Sequence, residues 1–314
     1  RGLAPFTVLC CDNLPENGRV VRGVVLELAG VIDPALADWI ATHGAFPATM
    51  VDRIVPATTA ADLDRLEAMA GYRDESPVMH EPFRQWVIED DFVDAARPDL
   101  GAVGAQLVGD VTPFEHMKLR MLNGTHSSLA YLGYLAGHET IADTVADPAF
   151  ADFLRGLWRH EIIPALTPPP GVDLGDYADA LLARYANPAI RHRTWQIAMD
   201  GSQKLPQRIL GTIAEVRAAG GTVPGLTLAV AAWMRYVSGR DQSGRPIEVK
   251  DPMAARLAAL WRDDPAETVA GFLALAEVFP PALRDDPGFA ADLTAAPGGL
   301  IRDGVQASLK RASQ

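Results

Sequence analysis

The densest group of polar residues in an otherwise apolar stretch lies between residues 115 and 126. If this stretch is an α-helix, Glu115, Lys118, Asn123 and His126 all fall within an arc of about 140°, at ~100° per residue. Each of these side chains can donate or accept a proton or a hydrogen bond. The pattern is therefore typical of general acid–base chemistry. A solvated helix edge has the same spacing, so spacing alone leaves both interpretations open.

Lys118 is the member of this group that is best suited to proton transfer. Burial among apolar neighbours destabilises a charged lysine, so we expect its pKa to fall toward the working range of an acid–base catalyst. Lys118 is also one of four lysines among 28 basic residues, and arginine does not titrate near neutrality. The apolar neighbours in the sequence are Met117, Leu119, Met121, Leu122, Leu129 and Leu132.

Two further candidates follow strand-like segments near the start of the chain. Asn13 comes after the apolar residues 7–11, at the position where open α/β sheets bind ligands. Its amide can donate a hydrogen bond to a carbonyl oxygen or an oxyanion. A simple Asx turn before Pro15 is the alternative. Asp52, beside Arg53, follows a second strand-like segment and belongs either to a ligand site or to an ordinary ion pair.

A third polar cluster runs from Asp200 to Arg208 and contains Lys204. Gly201 interrupts a helical pattern there, and Asp and Ser are good caps for a following helix. The cluster is therefore either a binding site or a turn between helices.

Composition and charge exclude several classes of function. A net charge of −12 repels phosphate backbones, so we expect no nucleic-acid partner. The apolar run 226–234 is too short to span a bilayer, and no secretory signal opens the chain. The adjacent Cys10 and Cys11 cannot form a disulfide framework or a four-thiolate metal site. We therefore predict a cytoplasmic protein without membrane partner or metal, while the oligomeric state is not readable.

The hydrophobic pattern changes near residue 110. Residues 1–110 mix strand-like segments (7–11, 46–56 and 83–89) with a helical pattern over 19–43 that Pro34 interrupts. From residue 111 to residue 314, helical patterns follow one another between proline-rich breaks. Thr112, Pro113 and Glu115 fit the N-cap, first and third positions of a helix with a capping box. The sequence predicts an α/β segment followed by a mostly α-helical domain.

Five segments of the chain together carry a family resemblance. They are Cys11-Asp12-Asn13-Leu14-Pro15-x2-Gly18, Phe46-x4-Val51-Asp52-Arg53-Ile54-x-Pro56, Trp86-Val87-Ile88-Glu89-Asp90, Lys118-x4-Asn123-x2-His126 and Asp200-Gly201-Ser202-x-Lys204. In this order they resemble the long-chain mannitol dehydrogenases and fructuronate reductases. The resemblance implies that residues 1–110 are the end of a Rossmann-like dinucleotide-binding domain and residues 111–314 a helical substrate-binding and catalytic domain.

The same resemblance implies a reaction and a set of roles. The reaction interconverts a secondary alcohol of a polyol or aldonate with a ketose or ketouronate, using NAD or NADP and no metal. Lys118 would accept the alcohol proton, and Asn13 and Asn123 would polarise the carbonyl oxygen. His126 would position the substrate hydroxyls, and Glu115 would link Lys118 to solvent.

The remaining site residues also follow from the resemblance. Lys204 resembles a substrate-contacting lysine, and Asp52 and Asn13 are the expected cofactor contacts within this chain. Gln196 stands where mannitol dehydrogenases are expected to carry arginine. Arg193, one turn away, is the proposed substitute for substrate binding. This departure keeps a fructuronate or tagaturonate reductase open as an alternative.

The sequence departs from the family pattern in its nucleotide-binding segment. No GxGxxG turn occurs, and the chain begins with Arg directly before a strand-like segment. We therefore expect a C-terminal portion that binds NAD(H) poorly or not at all by itself, with the preference for NAD or NADP set outside it. The missing turn also keeps open a second class of function, a non-catalytic helical module.

Overall fold

The computed structural model describes residues 3–312. The chain divides between His116 and Met117 into two compact units, and each is described by itself below.

The first unit is an α/β segment. Its helices are α1 (Asn17–Ile32), α2 (Pro34–His43), α3 (Ala60–Ala70) and most of α4 (Thr112–Met117), and its strands are β1 (Thr49–Asp52), β2 (Gln85–Glu89) and β3 (Gln106–Val108). The strands form one sheet in the order β1-β2-β3, in which β1 pairs antiparallel to β2 and β2 pairs parallel to β3. As predicted, Pro34 separates two helices, because proline cannot continue the hydrogen bonding of α1.

The segment 7–11 was predicted as a buried strand, and this prediction is wrong. Only Thr7 forms a bridge, parallel to Ala45, and Cys11 is exposed. The extended backbone nevertheless continues to Cys10, whose carbonyl accepts a hydrogen bond from the Thr49 hydroxyl at 2.6 Å. The segment therefore runs beside β1 but is attached to it by few backbone bonds.

The second unit is helical throughout. Its α-helices are α5 (Thr125–Ala136), α6 (Ile141–Ala146), α7 (Pro148–Gly156), α8 (Leu174–Tyr185), α9 (Thr194–Ile197), α10 (Gly201–Leu205), α11 (Gly211–Ala218), α12 (Pro224–Val237), α13 (Ala254–Ala258), α14 (Pro265–Leu273), α15 (Pro281–Arg284) and α16 (Pro287–Ala312). Three stretches are π-helical: π1 (Lys118–Gly124), π2 (Leu157–Ile162) and π3 (Pro206–Leu210).

Helix α12 forms the centre of this unit and packs against α5 and α16. Its sequence is apolar on nearly every side, as expected of a helix without a solvent face, and Trp233 is fully buried. No helix within residues 3–312 combines the length and apolarity that crossing a membrane would require. The predicted break before α15 lies at Pro280-Pro281, as the sequence indicated.

The start of α12 is held by a buried carboxylate. Glu161, on π2, accepts the backbone N–H groups of Gly225 at 2.7 Å and Leu226 at 2.9 Å. Burial raises the pKa of Glu161 to about 7, although these two hydrogen bonds act in the opposite direction. Because each oxygen is bonded to the helix start, Glu161 has a structural role and is not a candidate for acid–base catalysis.

The π-helical geometry of π1 corrects the arrangement inferred from α-helical spacing. A π-helix bonds residue i to residue i+5, so Lys118 and Asn123 lie one above the other on successive turns. On a regular α-helix the same two residues would be about 140° apart. Lys118 and Asn123 are therefore closer together around the helix axis than the α-helical spacing of 100° per residue predicted.

Side chains from other elements hydrogen-bond to the carbonyl groups of π1. The Trp158 indole donates to the Met121 carbonyl at 3.0 Å, and the Tyr185 hydroxyl donates to the Leu122 carbonyl at 2.8 Å. Thr125 adds a hydroxyl that donates to Met121 at 2.5 Å. Since buried carbonyls require partners, these bonds hold the π turn in place.

Segments π1 and π3 approach each other at Gly124. A Cβ atom at this position would lie 2.7 Å from the backbone oxygen of Arg208. Backbone atoms cannot move aside as a flexible side chain can, so only glycine permits this approach.

We expect Gly124→Ala to lower the free energy of unfolding by about 1–3 kcal/mol, because the added methyl group overpacks the π1–π3 contact. Urea unfolding measures this change. Gly156→Ala is the matched control, since a Cβ there meets nothing within 4 Å and alanine is the better helix former. Equal stability of the two variants would contradict this account of Gly124.

Candidate active site

Three of the predicted catalytic residues lie on one continuous helical stretch of the second unit. Lys118 and Asn123 belong to π1, and His126 belongs to the first turn of α5. All three are buried, with relative exposures of 9%, 7% and 6%. The sequence left open whether these residues formed a solvated edge, and their burial excludes that alternative.

His126 is held between two aromatic rings. It stacks on Tyr185 with ring centroids 5.2 Å apart and meets His192 edge-on at 4.8 Å. Burial, followed by the positive charges of nearby groups, lowers the pKa of His126 well below 6.5. Its Nε2 atom has no hydrogen-bond partner in the described part of the chain. The neutral imidazole is therefore available to a ligand hydroxyl.

His192 shares this environment. Burial lowers its pKa to about 4, and Lys204 acts in the same direction. Its Nδ1 atom is also buried without a hydrogen-bond partner among the described residues. Two adjacent neutral histidines thus present unsatisfied ring nitrogens, which is the requirement for binding a hydroxylated ligand.

Two cations approach this pair of histidines from α10 and π3. The Lys204 ammonium donates to the Met199 carbonyl at 2.5 Å and lies 3.9 Å from Asp200. Burial and the neighbouring Arg208 lower the pKa of Lys204. The Arg208 guanidinium donates to the Ser127 hydroxyl, next to His126, at 3.2 Å. The structure therefore brings Lys204 to the predicted site.

Gly201 and Ser202 fix the start of α10. A Cβ at Gly201 would overlap Tyr131 and Trp233 in the core. The hydroxyl and backbone N–H of Ser202 both donate to Asp251, at 2.6 and 2.8 Å. Asp200 was predicted as a cap, but it makes no side-chain capping bond. Packing and Asp251, rather than Asp200, therefore hold this turn.

The capping box predicted for Thr112 and Glu115 is wrong. The helix begins at Thr112, directly after Val111, whose carbonyl accepts the Glu115 N–H, and Thr112 donates its own N–H to Asp110. The Glu115 carboxylate instead accepts the backbone N–H of Glu16 at 2.7 Å. Glu115 thus connects α4 with the turn that precedes α1, within the first unit.

The predicted cofactor contacts lie at one edge of the first unit. Asn13 is exposed in the turn before α1, and Asp52 is buried at the end of β1. The segment before Asn13 bridges Ala45 in parallel and accepts a hydrogen bond from Thr49 of β1. The two residues therefore lie at an edge of the kind where α/β sheets bind nucleotides. Arg53 donates to the Phe83 carbonyl at 2.9 Å.

Asn17 organises this edge and was not identified from the sequence. Its buried amide donates to the Asp12 carbonyl at 2.9 Å and to the Thr49 carbonyl at 2.9 Å, and it accepts the Thr49 N–H at the same distance. The turn that carries Asn13 is thereby fixed to β1. The sequence signal was weak, because an asparagine before a glycine also marks an ordinary turn.

Arg193 lies outside the histidine cluster. Its exposed guanidinium is 3.7 Å from Glu139, and it lines a surface cavity of about 640 Å³ together with Trp195 and Arg245. Its predicted role in substrate binding stays a prediction.

The sequence reasoning missed His192, and it included Arg208 only as the end of the polar cluster 200–208, without a role of its own. His192 directly precedes Arg193 in a loop, and Arg208 follows Lys204 by four residues, which is one helical turn. The spacing of Arg208 was the available signal. For metals, no three His, Cys, Asp or Glu side chains in residues 3–312 are grouped as ligands.

Comparison with known proteins places the chain in a family. A family model described as the mannitol dehydrogenase C-terminal domain matches residues 110–298, and one described as the mannitol dehydrogenase Rossmann domain matches residues 1–102. The chain belongs to the mannitol dehydrogenase family. The fold class predicted from the sequence is confirmed, with a Rossmann-type segment followed by a mostly helical domain.

Individual members of the mannitol dehydrogenase family match the whole chain. It is 50% identical over 307 residues to D-mannonate oxidoreductase of Escherichia coli and 41% identical over 311 residues to mannitol 2-dehydrogenase of Phaeosphaeria nodorum. These alignments cover 98% of this chain. The chain spans 63% of the length of the first relative and 54% of the second.

A solved member of the family has the same fold. This is the Pseudomonas fluorescens mannitol 2-dehydrogenase in a ternary complex with NAD and D-mannitol, with a TM-score of 0.90 and 40% identity. The match covers 99% of this chain and 63% of that protein.

The two buried histidines predict an acid-dependent loss of stability. Between pH 6.5 and about 4 the unfolded chain binds protons at His126 and His192, whereas the folded chain does not. The contribution of the two histidines to the free energy of unfolding should therefore fall as the pH falls through this window, by about 3 kcal/mol for His192. Glu161 contributes in the opposite direction, because its pKa is raised by burial. Urea unfolding of the parent protein and of a histidine variant at pH 7 and pH 4.5 isolates the loss that is due to the histidine.

His192→Asn should reduce this loss, because asparagine does not titrate. His43→Asn, which replaces an exposed histidine, is the control and should lose as much stability as the parent protein. If His192→Asn also loses as much, the assignment of this pH dependence to His192 is wrong.

Proposed function

We propose that the protein is an NAD-dependent oxidoreductase that interconverts a secondary alcohol of a polyol or aldonate with the corresponding ketose or ketouronate. The observation that supports this most is the burial of Lys118, Asn123 and His126 on adjacent turns in a chain of the mannitol dehydrogenase family. As part of the proposal, residues 1–110 serve the nucleotide and residues 111–314 the substrate and the chemistry.

Lys118 is the proposed general acid–base. In the oxidative direction its neutral amine accepts the proton of the substrate hydroxyl, and in the reductive direction its ammonium returns a proton to the carbonyl oxygen. Bound NAD would supply the hydride acceptor. Lys118 is only 9% exposed, and this burial makes solvent a poor competitor for the proton.

Asn123 is proposed to stabilise the substrate oxygen as its charge changes. It lies one π turn after Lys118, so both can address one oxygen atom on the same side of the helix. Asn13 keeps the polarising role that the family resemblance implies, and Glu115 keeps the role of linking Lys118 to solvent. Asp52 and Asn13 are the proposed nucleotide contacts of this chain.

His126 is proposed to orient the substrate hydroxyls. Its pKa lies well below 6.5, so at neutral pH the ring has one donor and one acceptor nitrogen, which suits a polyhydroxylated ligand. Lys204 is proposed to bind the substrate, and Arg193 is proposed as an outer contact. A non-catalytic helical module would not require a lysine, an asparagine and a histidine to be buried together, because each carries a desolvation cost.

Lys118→Met tests the proposed catalyst, because it removes the amine and keeps an unbranched side chain. We expect kcat for NAD-dependent oxidation of D-mannitol or D-mannonate by the full-length protein to fall about 100- to 10,000-fold. NADH absorbance measures the rate. The rate of the parent protein should rise with pH, since only the neutral amine accepts a proton. The residual rate of Lys118→Met should not show this pH dependence.

Lys310→Met, which replaces an exposed lysine of α16, is the matched control and should keep the parent rate. A folded Lys118→Met protein with near-parent kcat would rule out Lys118 as the acid–base group.

A further inference from the structure

Positive charge is concentrated around His126 in a protein whose net charge is −12. Three cations, on Arg184, Lys204 and Arg208, lie close enough to His126 to disfavour its protonation. Lys204 and Arg208 lie one helical turn apart on α10 and π3, and Arg184 comes from the separate helix α8. Grouping like charges in a partly buried region costs free energy, so the arrangement points to an anionic ligand that offsets the cost.

Two other partly buried arginines of the same unit are neutralised by the protein itself. Arg120 forms a two-pronged pair with the Glu215 carboxylate at 2.5 and 2.7 Å. Arg217 forms a similar pair with Asp286 at 2.6 and 3.2 Å. At these two positions a carboxylate compensates for the desolvation of the guanidinium.

Arg208 is an exception to this pattern. Within residues 3–312, no carboxylate oxygen lies within 4 Å of its guanidinium, and its one side-chain hydrogen bond goes to the neutral hydroxyl of Ser127. A guanidinium has five N–H donors in a planar fork that fits a carboxylate. Most of the donors of Arg208 thus remain available.

The position of Arg208 is fixed by its backbone and side chain together. Its carbonyl packs on Gly124 at the end of π1, and its side chain is bonded to Ser127, the neighbour of His126. The guanidinium is therefore held beside the helix that carries Lys118, Asn123 and His126. Lys204 is less suited to bind an anion, because its ammonium already has Asp200 at 3.9 Å and the Met199 carbonyl as partners.

We propose that Arg208 binds a terminal carboxylate of the substrate and is the residue that makes this site select a sugar acid over the neutral polyol. The inference rests on the proposed function and adds to it the charged class of substrate and the residue that recognises it. The remaining N–H donors of Arg208 supply a paired contact that a terminal hydroxymethyl group cannot match.

D-mannonate and D-mannitol are suitable probes, since they differ at one terminal carbon, which is a carboxylate in the first and a hydroxymethyl group in the second. For the full-length protein with NAD, we expect a higher kcat/KM for D-mannonate. Arg208→Gln should raise KM for D-mannonate about 10- to 100-fold. KM for D-mannitol should change by less than about threefold, because D-mannitol has no carboxylate for Arg208 to bind. Arg208→Lys should restore only part of the loss, because an ammonium lacks the planar fork.

Two controls separate this effect from general loss of charge or fold. Arg155→Gln removes an exposed arginine of α7 and should leave both KM values unchanged. KM for NAD should be unchanged in Arg208→Gln. An increase confined to NAD would overturn the proposal by assigning the guanidinium to a nucleotide phosphate.

The remaining outcomes distinguish failure of this inference from failure of the proposed function. Preference for D-mannitol, or an unchanged preference in Arg208→Gln, overturns the role of Arg208 and leaves the oxidoreductase standing. If a folded protein oxidises neither compound, the proposed function fails, and isothermal titration with D-mannonate decides about Arg208. Binding that is lost in Arg208→Gln supports the carboxylate site, and absence of binding to the parent protein overturns it.

Discussion

The buried backbone carbonyls of π1 need hydrogen-bond partners, and this requirement determines how its neighbours in the second unit are arranged. A π turn shifts the helical hydrogen bonds to i+5 and requires other partners for the carbonyls around it. Trp158 and Tyr185 provide those partners from π2 and α8. Because hydrogen bonds in the core are directional, they fix both elements against π1. Tyr185 also stacks on His126, so one side chain supports the unusual backbone and orients a residue of the proposed site.

Several partly buried charged groups of the second unit are paired with an opposite charge, and others are grouped around the two buried histidines. Arg120 and Arg217 are paired with carboxylates, which compensates for their desolvation. His126 and His192 have lowered pKa values, because burial disfavours their charged forms and the neighbouring cations act in the same direction. The site thus combines neutral hydrogen-bonding groups with cations. This combination is the basis of the proposal that the site binds a hydroxylated ligand with a negative end.

Errors of the sequence interpretation occur where long-range contacts replace local ones. Glu115 was assigned to a capping box from its spacing to Thr112, but it accepts a bond from Glu16, 99 residues away in the chain. The segment 7–11 has the composition of a strand, but only Thr7 forms a bridge. The partner of each backbone or side-chain group depends on which group is nearest in space, and local sequence propensity does not encode that distance.

The sequence by itself determined the family, the order of the α/β and helical parts, the break at Pro34 and the identity of Lys118, Asn123 and His126 as candidates. These features follow from local pattern and from residue types whose chemistry is intrinsic to the side chain. Tertiary structure alone decided that π1 departs from α-helical spacing, that Asn17 fixes the turn of Asn13, and that His192 and Arg208 join the cluster. Each of these depends on contacts between residues that are separated in the chain, because burial and hydrogen bonding are set by the packed neighbours and not by the local sequence.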